Sequence, residues 1–219
     1  MRLRLILALV VILTLVGGTA AQAGPIVVRP LDSSRPGEYS NFADLPLTPQ
    51  QVADQFQLAQ TATIESITWY GRYDGRYSVT NPVAFSIRLF ADDLGEPAAG
   101  PSMSFEVSVS GVAQGSDYLG SPWLAYSTAG LSWTLGPGTY WLSILENDPR
   151  TPIGGDSQWL WGDSGPGYRA IRNGDGGDWT AGRDFNHAFT LEGTVPDAGS
   201  TLLLFGISLV GLRAWRKRA

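Results

Sequence analysis

The feature that most constrains this chain is a period-two alternation of apolar side chains. Val83, Phe85, Ile87 and Leu89 alternate with Ala84, Ser86, Arg88 and Phe90; Met103, Phe105, Val107 and Val109 alternate with Ser104, Glu106, Ser108 and Ser110. Successive side chains of a strand point to opposite faces, so each run buries one face and wets the other. Between residues 50 and 193 no window longer than ten residues carries a helical apolar stripe. The 27 glycines and 14 prolines are spread along the chain, as turns between short strands require. The expectation is an all-β body of eight or nine strands, an antiparallel β-sandwich of jelly-roll-like topology.

Other runs fill in that scheme. In 50–58, Val52, Phe56 and Leu58 share a face; in 62–70 the second face, Thr63, Glu65, Ile67 and Trp69, is mixed, which predicts cover on both sides. Gly71 to Arg76 reads as a turn, 91–97 as a loop and 111–121 as irregular. Residues 123–135 read as two short strands, 139–145 as a strand apolar on both faces, and 158–162 as a short strand. A glycine-rich stretch over 163–182 follows, and 187–193 closes the body. Residues 24–49, rich in proline, read as an extended lead-in with an edge strand at Ile26–Val28.

Charge narrows the partners. Between Gly24 and Gly193 there are nine arginines, no lysine and nineteen acidic residues, so this part of the chain is far more acidic than the net charge of −5 conveys. Such a surface repels phosphate backbones, and no nucleic-acid partner is expected. The absence of cysteine removes disulfides, thiolate metal sites and cysteine nucleophiles.

Chemistry-bearing residues are sparse. Asp92–Asp93 and Asp175/Asp178 are close in sequence, but turn preference accounts for them without an acid–base role. His187 is the single histidine, with no Gly-x-Ser-x-Gly elbow to serve; it reads as a strand-edge residue with nothing grouped around it. The expectation is therefore no enzyme and no cofactor. Calcium is the one metal candidate: Asn173, Asp175 and Asp178 offer hard oxygens in a glycine-rich loop, although the terminal Glu of a twelve-residue calcium loop is missing. Eight tryptophans leave two readings open. Trp69, Trp133 and Trp141 read as core. Trp159 and Trp161, on one side of a short strand, together with Trp179, are either core or a stacking platform for carbohydrate.

The two ends read as addresses. Arg2 and Arg4, an apolar run over 5–16, and Ala21-Gln22-Ala23 make a secretory signal peptide over 1–23, cut by signal peptidase after Ala23; an uncleaved anchor is the alternative. At the other end, Val195, Pro196, Asp197, Ala198 and Gly199 lead into a run uncharged as far as Leu212, then Arg213, Trp215, Arg216, Lys217 and Arg218. The run is short for a bilayer core of about 30 Å, but counted as a transmembrane helix over about 200–215, with Arg213 snorkelling, it comes close to spanning. The basic cluster then stays cytoplasmic and the body lies outside.

These parts resemble a known class. The order Val-Ala-Asp-Gln-Phe (52–56), Ile-Glu-Ser-Ile-Thr-Trp-Tyr-Gly (64–71), Phe-Ser-Ile-Arg-Leu-Phe-Ala-Asp-Asp (85–93), Gly-Thr-Tyr-Trp-Leu-Ser-Ile (138–144) and His-Ala-Phe-Thr-Leu-Glu-Gly (187–193) resembles the β-sandwich ectodomain of bacterial proteins with a PEP-CTERM tail. The segment 195–219 is similar to the PEP-CTERM sorting signals, nearest to the Val-Pro-Asp-Ser-Gly variant, with Ala198 in place of the serine. The resemblance implies an exported, membrane-anchored protein that an exosortase cuts in or near Val195–Gly199. It further implies delivery to the cell surface or matrix of an exopolysaccharide-producing bacterium, with polysaccharide or biofilm as partner.

Overall fold

The computed structural model describes residues 23–40, 50–74, 82–116, 120–147, 158–174 and 176–196. The signal-peptide reading, apart from Ala23, and the tail beyond Pro196 lie outside them. The strands are β1 (Ala23–Arg29), β2 (Glu38–Tyr39), β3 (Gln50–Leu58), β4 (Ala62–Asp74), β5 (Val83–Asp93), β6 (Glu96–Pro97), β7 (Met103–Val109) and β8 (Val112–Ser116). They continue as β9 (Pro122–Leu135), β10 (Gly138–Glu146), β11 (Gln158–Trp161), β12 (Asp163–Gly165), β13 (Tyr168–Asn173), β14 (Thr180–Arg183), β15 (Asn186–His187) and β16 (Phe189–Thr194). The described residues contain no helix, and every pairing is antiparallel.

One sheet runs β1-β16-β4-β11-β2, with β9 on the other side of β4 and β8 beyond it; the second runs β14-β13-β3-β10-β5-β6, with β7 also on β5. β12 and β15 form a separate two-stranded ladder. Apolar faces of the two sheets meet in one core. Trp69 of β4 and Trp159 of β11 each set an edge against Phe85 of β5 at 5.2 Å, and Phe56 of β3 meets Phe189 of β16 at 6.3 Å. In a chain without disulfides this aromatic lattice carries the stability; each such pair adds about 0.5–1.5 kcal/mol beyond its buried area.

Several local readings change. The mixed pattern of β4 comes from a β-bulge and not from two-sided cover. The register slips between Ile64 and Ser66, so Ile64, Ile67 and Trp69 all reach the core while Thr63, Ser66 and Thr68 stay on the outer face. Gly193 crosses that bulge so closely that a Cβ would stand 1.9 Å from the Thr63 carbonyl oxygen. Gly71 is strand and not turn: a Cβ there would enter the Trp159 indole at 2.4 Å, so the glycine is the slot the indole fills. The two strands read over 123–135 are one, β9, with a register slip and Gly130 at φ +83° where a break was expected. Residues 112–116 form the exposed edge strand β8.

The two-sided character of β10 is real. Leu142 and Ile144 face the main core; Trp141 faces outward into a second cluster with Ala53, Phe90, Ala170 and Trp179. Its indole N–H donates to Asp92 Oδ1 at 2.8 Å, so Asp92 holds a tryptophan in place.

Residues 23–40 are woven into the fold. β1 pairs with β16 from Ala23↔Thr194 to Arg29↔Phe189, and the segment after it closes one end of the sandwich. Ser40, fully buried, accepts the Glu146 N–H on its carbonyl, donates its N–H to Trp159 O, and donates its hydroxyl to Ile144 O at 2.6 Å. That one residue ties β10 of one sheet to β11 of the other. It also brings Glu38 over the end of β15.

Candidate functional site

The closed end of the sandwich holds a buried cluster of charges. Asp54 shares the inward parity of Val52, Phe56 and Leu58 on β3, and it is fully buried. It stays there because three groups turn toward it. The His187 backbone N–H donates to Asp54 Oδ2, His187 Nδ1 lies 3.3 Å from the same oxygen, and Arg29 Nη1 lies 2.8 Å from Asp54 Oδ1. The arginine contact is an ion pair without the alignment of a hydrogen bond. Arg29 also donates to Gln55 O. Burial pushes the Asp54 carboxyl above the usual Asp range, and the His187 hydrogen bonds and the Arg29 charge oppose that without cancelling it.

His187 is fully buried, which overturns its reading as an isolated strand-edge residue. Its ring lies against the Trp161 ring at 4.7 Å, and its Nε2 faces Glu38 Oε2 at 3.7 Å. The β12–β15 ladder sets it opposite Asp163. That ladder forms because Asn186 caps the preceding loop: its Oδ1 accepts the Tyr168 N–H at 3.2 Å and its Nδ2 donates to Pro166 O at 2.9 Å. Gly167 makes room, since a Cβ there would overlap the Asn186 amide. Asp163 is nearly buried, and burial raises its carboxyl too, against the pull of His187 and Arg35. Glu38 pairs with Arg169 of β13, which also holds Asp184 at 3.0 Å.

Over this cluster lies a cleft of about 340 Å³, lined by residues that include Arg35, Glu38, Gln50, Asp163, Arg169 and Phe185. Arg35 sits over the Phe185 ring at 4.6 Å and pairs with Asp32 at 3.2 Å. Hydrogen bonds from the Ser34 hydroxyl and backbone N–H hold Asp32 below its ordinary range. Among the described residues three buried atoms of this cluster have no hydrogen-bond partner: Asp163 Oδ1, His187 Nε2 and Glu38 Oε2, the last of which is ion-paired with Arg169.

The tryptophan platform does not exist. Trp159 and Trp161 are fully buried; Trp161 donates its indole N–H to Ala188 O at 3.1 Å, and Trp159 packs on Phe85. Trp179 is 8% exposed, between Phe90 at 5.3 Å and the Arg172 guanidinium at 4.5 Å. The same-side geometry of Trp159 and Trp161 was read correctly, but the side is the core. Of the calcium candidates, Asn173 and Asp178 are exposed and Asp175 lies outside the described residues. Among the described residues no group of three His, Cys, Asp or Glu side chains is placed to hold a metal ion.

Asp54 carried a signal in the sequence: a lone carboxylate at the apolar parity of an alternating strand. Arg29, Glu38, Asp163 and Arg169 carried none, because their placement depends on chain closure and irregular turns.

At the other end of the ladder, Thr194 is the last residue of β16, paired with Ala23 on one side and Thr63 on the other. Val195 leaves the sheet packed against the core, and Pro196 is exposed. Residues 194–219 match the family model described as VPDSG-CTERM motif. The chain carries a VPDSG-CTERM sorting signal. This PEP-CTERM-like signal indicates an exported protein, anchored at the membrane before an exosortase-type system processes it. No curated protein and no solved structure matches the chain. Among the described residues no helix is long and apolar enough to cross a membrane; the apolar run within the VPDSG-CTERM signal lies outside them.

Proposed function

We propose that this is a non-catalytic surface or matrix protein, a jelly-roll-like sandwich delivered outside the cell and released or transferred by cleavage in or near Val195–Gly199. In this reading signal peptidase removes 1–23, residues about 200–215 span the membrane once with Arg213, Arg216, Lys217 and Arg218 cytoplasmic, and the body associates with exopolysaccharide or biofilm. The observation that carries it is the VPDSG-CTERM match, which begins where the last core strand ends. Support for the jelly roll is the strand order β1-β16-β4-β9 opposite β3-β10-β5-β7, in which each strand of this set except β7, which pairs with β5, lies in the opposite sheet from the one before it. Support for a structural role is that the buried ionic groups are largely consumed by one another: Arg29 with Asp54, Arg169 with Glu38 and Asp184.

The test is the intact mass of the mature protein isolated from the producing cells. An N-terminus at Gly24 and a C-terminus between Val195 and Ser200 support the reading. A chain that still ends at Ala219 refutes processing.

A further inference from the structure

The cleft above the histidine combines three observations. Its volume of about 340 Å³ falls at the lower end of the range for small-molecule sites, roughly 300–1,000 Å³. Most formal charges facing it are already matched: Arg35 by Asp32, and Arg169 by Glu38 and Asp184. What is left over is hydrogen-bonding capacity in one nearly buried lining residue, at Asp163 Oδ1. Buried polar atoms without partners are rare in folded proteins and mark places where something else completes the bonding.

Matched charge with unmatched hydrogen bonds selects the ligand chemistry. An anion meets Glu38 and Asp163, and a cation meets Arg35 and Arg169, so a net charge of either sign gains little. A neutral, hydroxyl-rich molecule loses nothing to charge and has a donor for the leftover Asp163 oxygen. The Phe185 ring, with the Arg35 guanidinium over it, adds a flat, partly apolar wall that suits the C–H face of a sugar. We infer that this cleft binds a neutral saccharide unit, with Asp163 as hydrogen-bond partner to a ring hydroxyl and Phe185 with Arg35 as the wall it lies against. The site deepens the polysaccharide part of the reading above and supplies, from arginine, carboxyl and phenyl groups, what the buried tryptophans do not.

The test is saturation-transfer NMR and calorimetry on the full chain, held in a detergent without a sugar headgroup. The probes are the methyl glycosides of glucose, galactose and mannose, with galacturonate as the charged comparator. The expected result is saturable binding of at least one neutral glycoside, with a Kd on the order of 1 mM. Binding should weaken at least tenfold in Asp163→Asn and in Phe185→Ala, each with wild-type near-ultraviolet circular dichroism. Phe185 is half-buried, so Phe185→Ala remains decisive if Asp163→Asn does not fold. No saturable signal from any neutral glycoside on folded wild-type protein means a cleft filled by water only and overturns the inference. Undiminished binding by Phe185→Ala, or tighter binding of galacturonate, overturns it too. Because the mass of the mature protein tests sorting without reference to sugars, the two readings fail separately.

Discussion

Replacing Trp161 by alanine separates a core indole from a surface one by a wide margin. The side chain is fully buried, packs at a tilt against His187 at 4.7 Å and Phe189 at 6.1 Å, and donates to Ala188 O at 3.1 Å. An aromatic side chain of this kind buries about 150–250 Å², worth roughly 4–6 kcal/mol at about 25 cal/mol per Å². That figure is an upper bound, because an unfolded chain already covers part of its apolar surface. Core Trp→Ala changes cost about 3–5 kcal/mol, and the Ala188 carbonyl keeps the Tyr70 N–H at 3.3 Å, so no orphaned acceptor adds to that cost. A loss of about 4 kcal/mol is therefore expected, equivalent to a Tm lower by roughly 8–16 °C for a domain of this size. Urea unfolding followed by far-ultraviolet circular dichroism measures it. Trp161→Phe should recover part of the loss, since the ring contacts return without the N–H. A Trp161→Ala loss within about 0.5 kcal/mol of zero, as for an ordinary surface position, would refute the burial argument.

Other expectations follow from single contacts. Gly71→Ala forces a methyl into the Trp159 indole and should cost about 1–3 kcal/mol by the same urea assay; a neutral result would mean that the indole sits elsewhere. Asp54 holds its proton more tightly folded than unfolded, so its contribution to stability is fully present below the ordinary Asp value of about 3.9 and is lost as pH rises through the raised native value. The stability difference between wild type and Asp54→Asn should accordingly shrink, or turn against wild type, as pH increases above about 4; a difference that grows with pH contradicts the buried-carboxyl account. Thr194 is paired on both sides and Val195 packs on the core, so the exosortase cut should fall at or beyond the Val195–Pro196 bond. A mature C-terminus before Thr194, found by mass spectrometry, would show that the enzyme acts on an unfolded ladder.

Alternation and tail motif were readable because both are local. The faces of β5 and β7 follow from whether a side chain lies at an odd or even position, a property of consecutive residues that needs no knowledge of neighbours. β4 shows where such reading stops: a one-residue bulge reverses parity, and a bulge depends on the partner strands β9 and β16. Gly71 shows it again, for its role as a slot depends on an indole 88 positions away in the chain.

By itself, the sequence determined that the body of the chain is all-β, that this body is acidic and free of thiol chemistry, and that a VPDSG-CTERM sorting signal follows it. Each of these rests on composition or on a short contiguous pattern. The tertiary structure alone decided that Trp159, Trp161 and Trp179 are core, and that Arg29, Asp54, His187 and Glu38 meet in one chain of contacts, with Glu38 and Asp163 lining a cleft. The reason is closure: Asp54 and His187 lie 133 residues apart, and only the crossing of strands between two sheets brings a lone carboxylate and a lone imidazole to the same buried point.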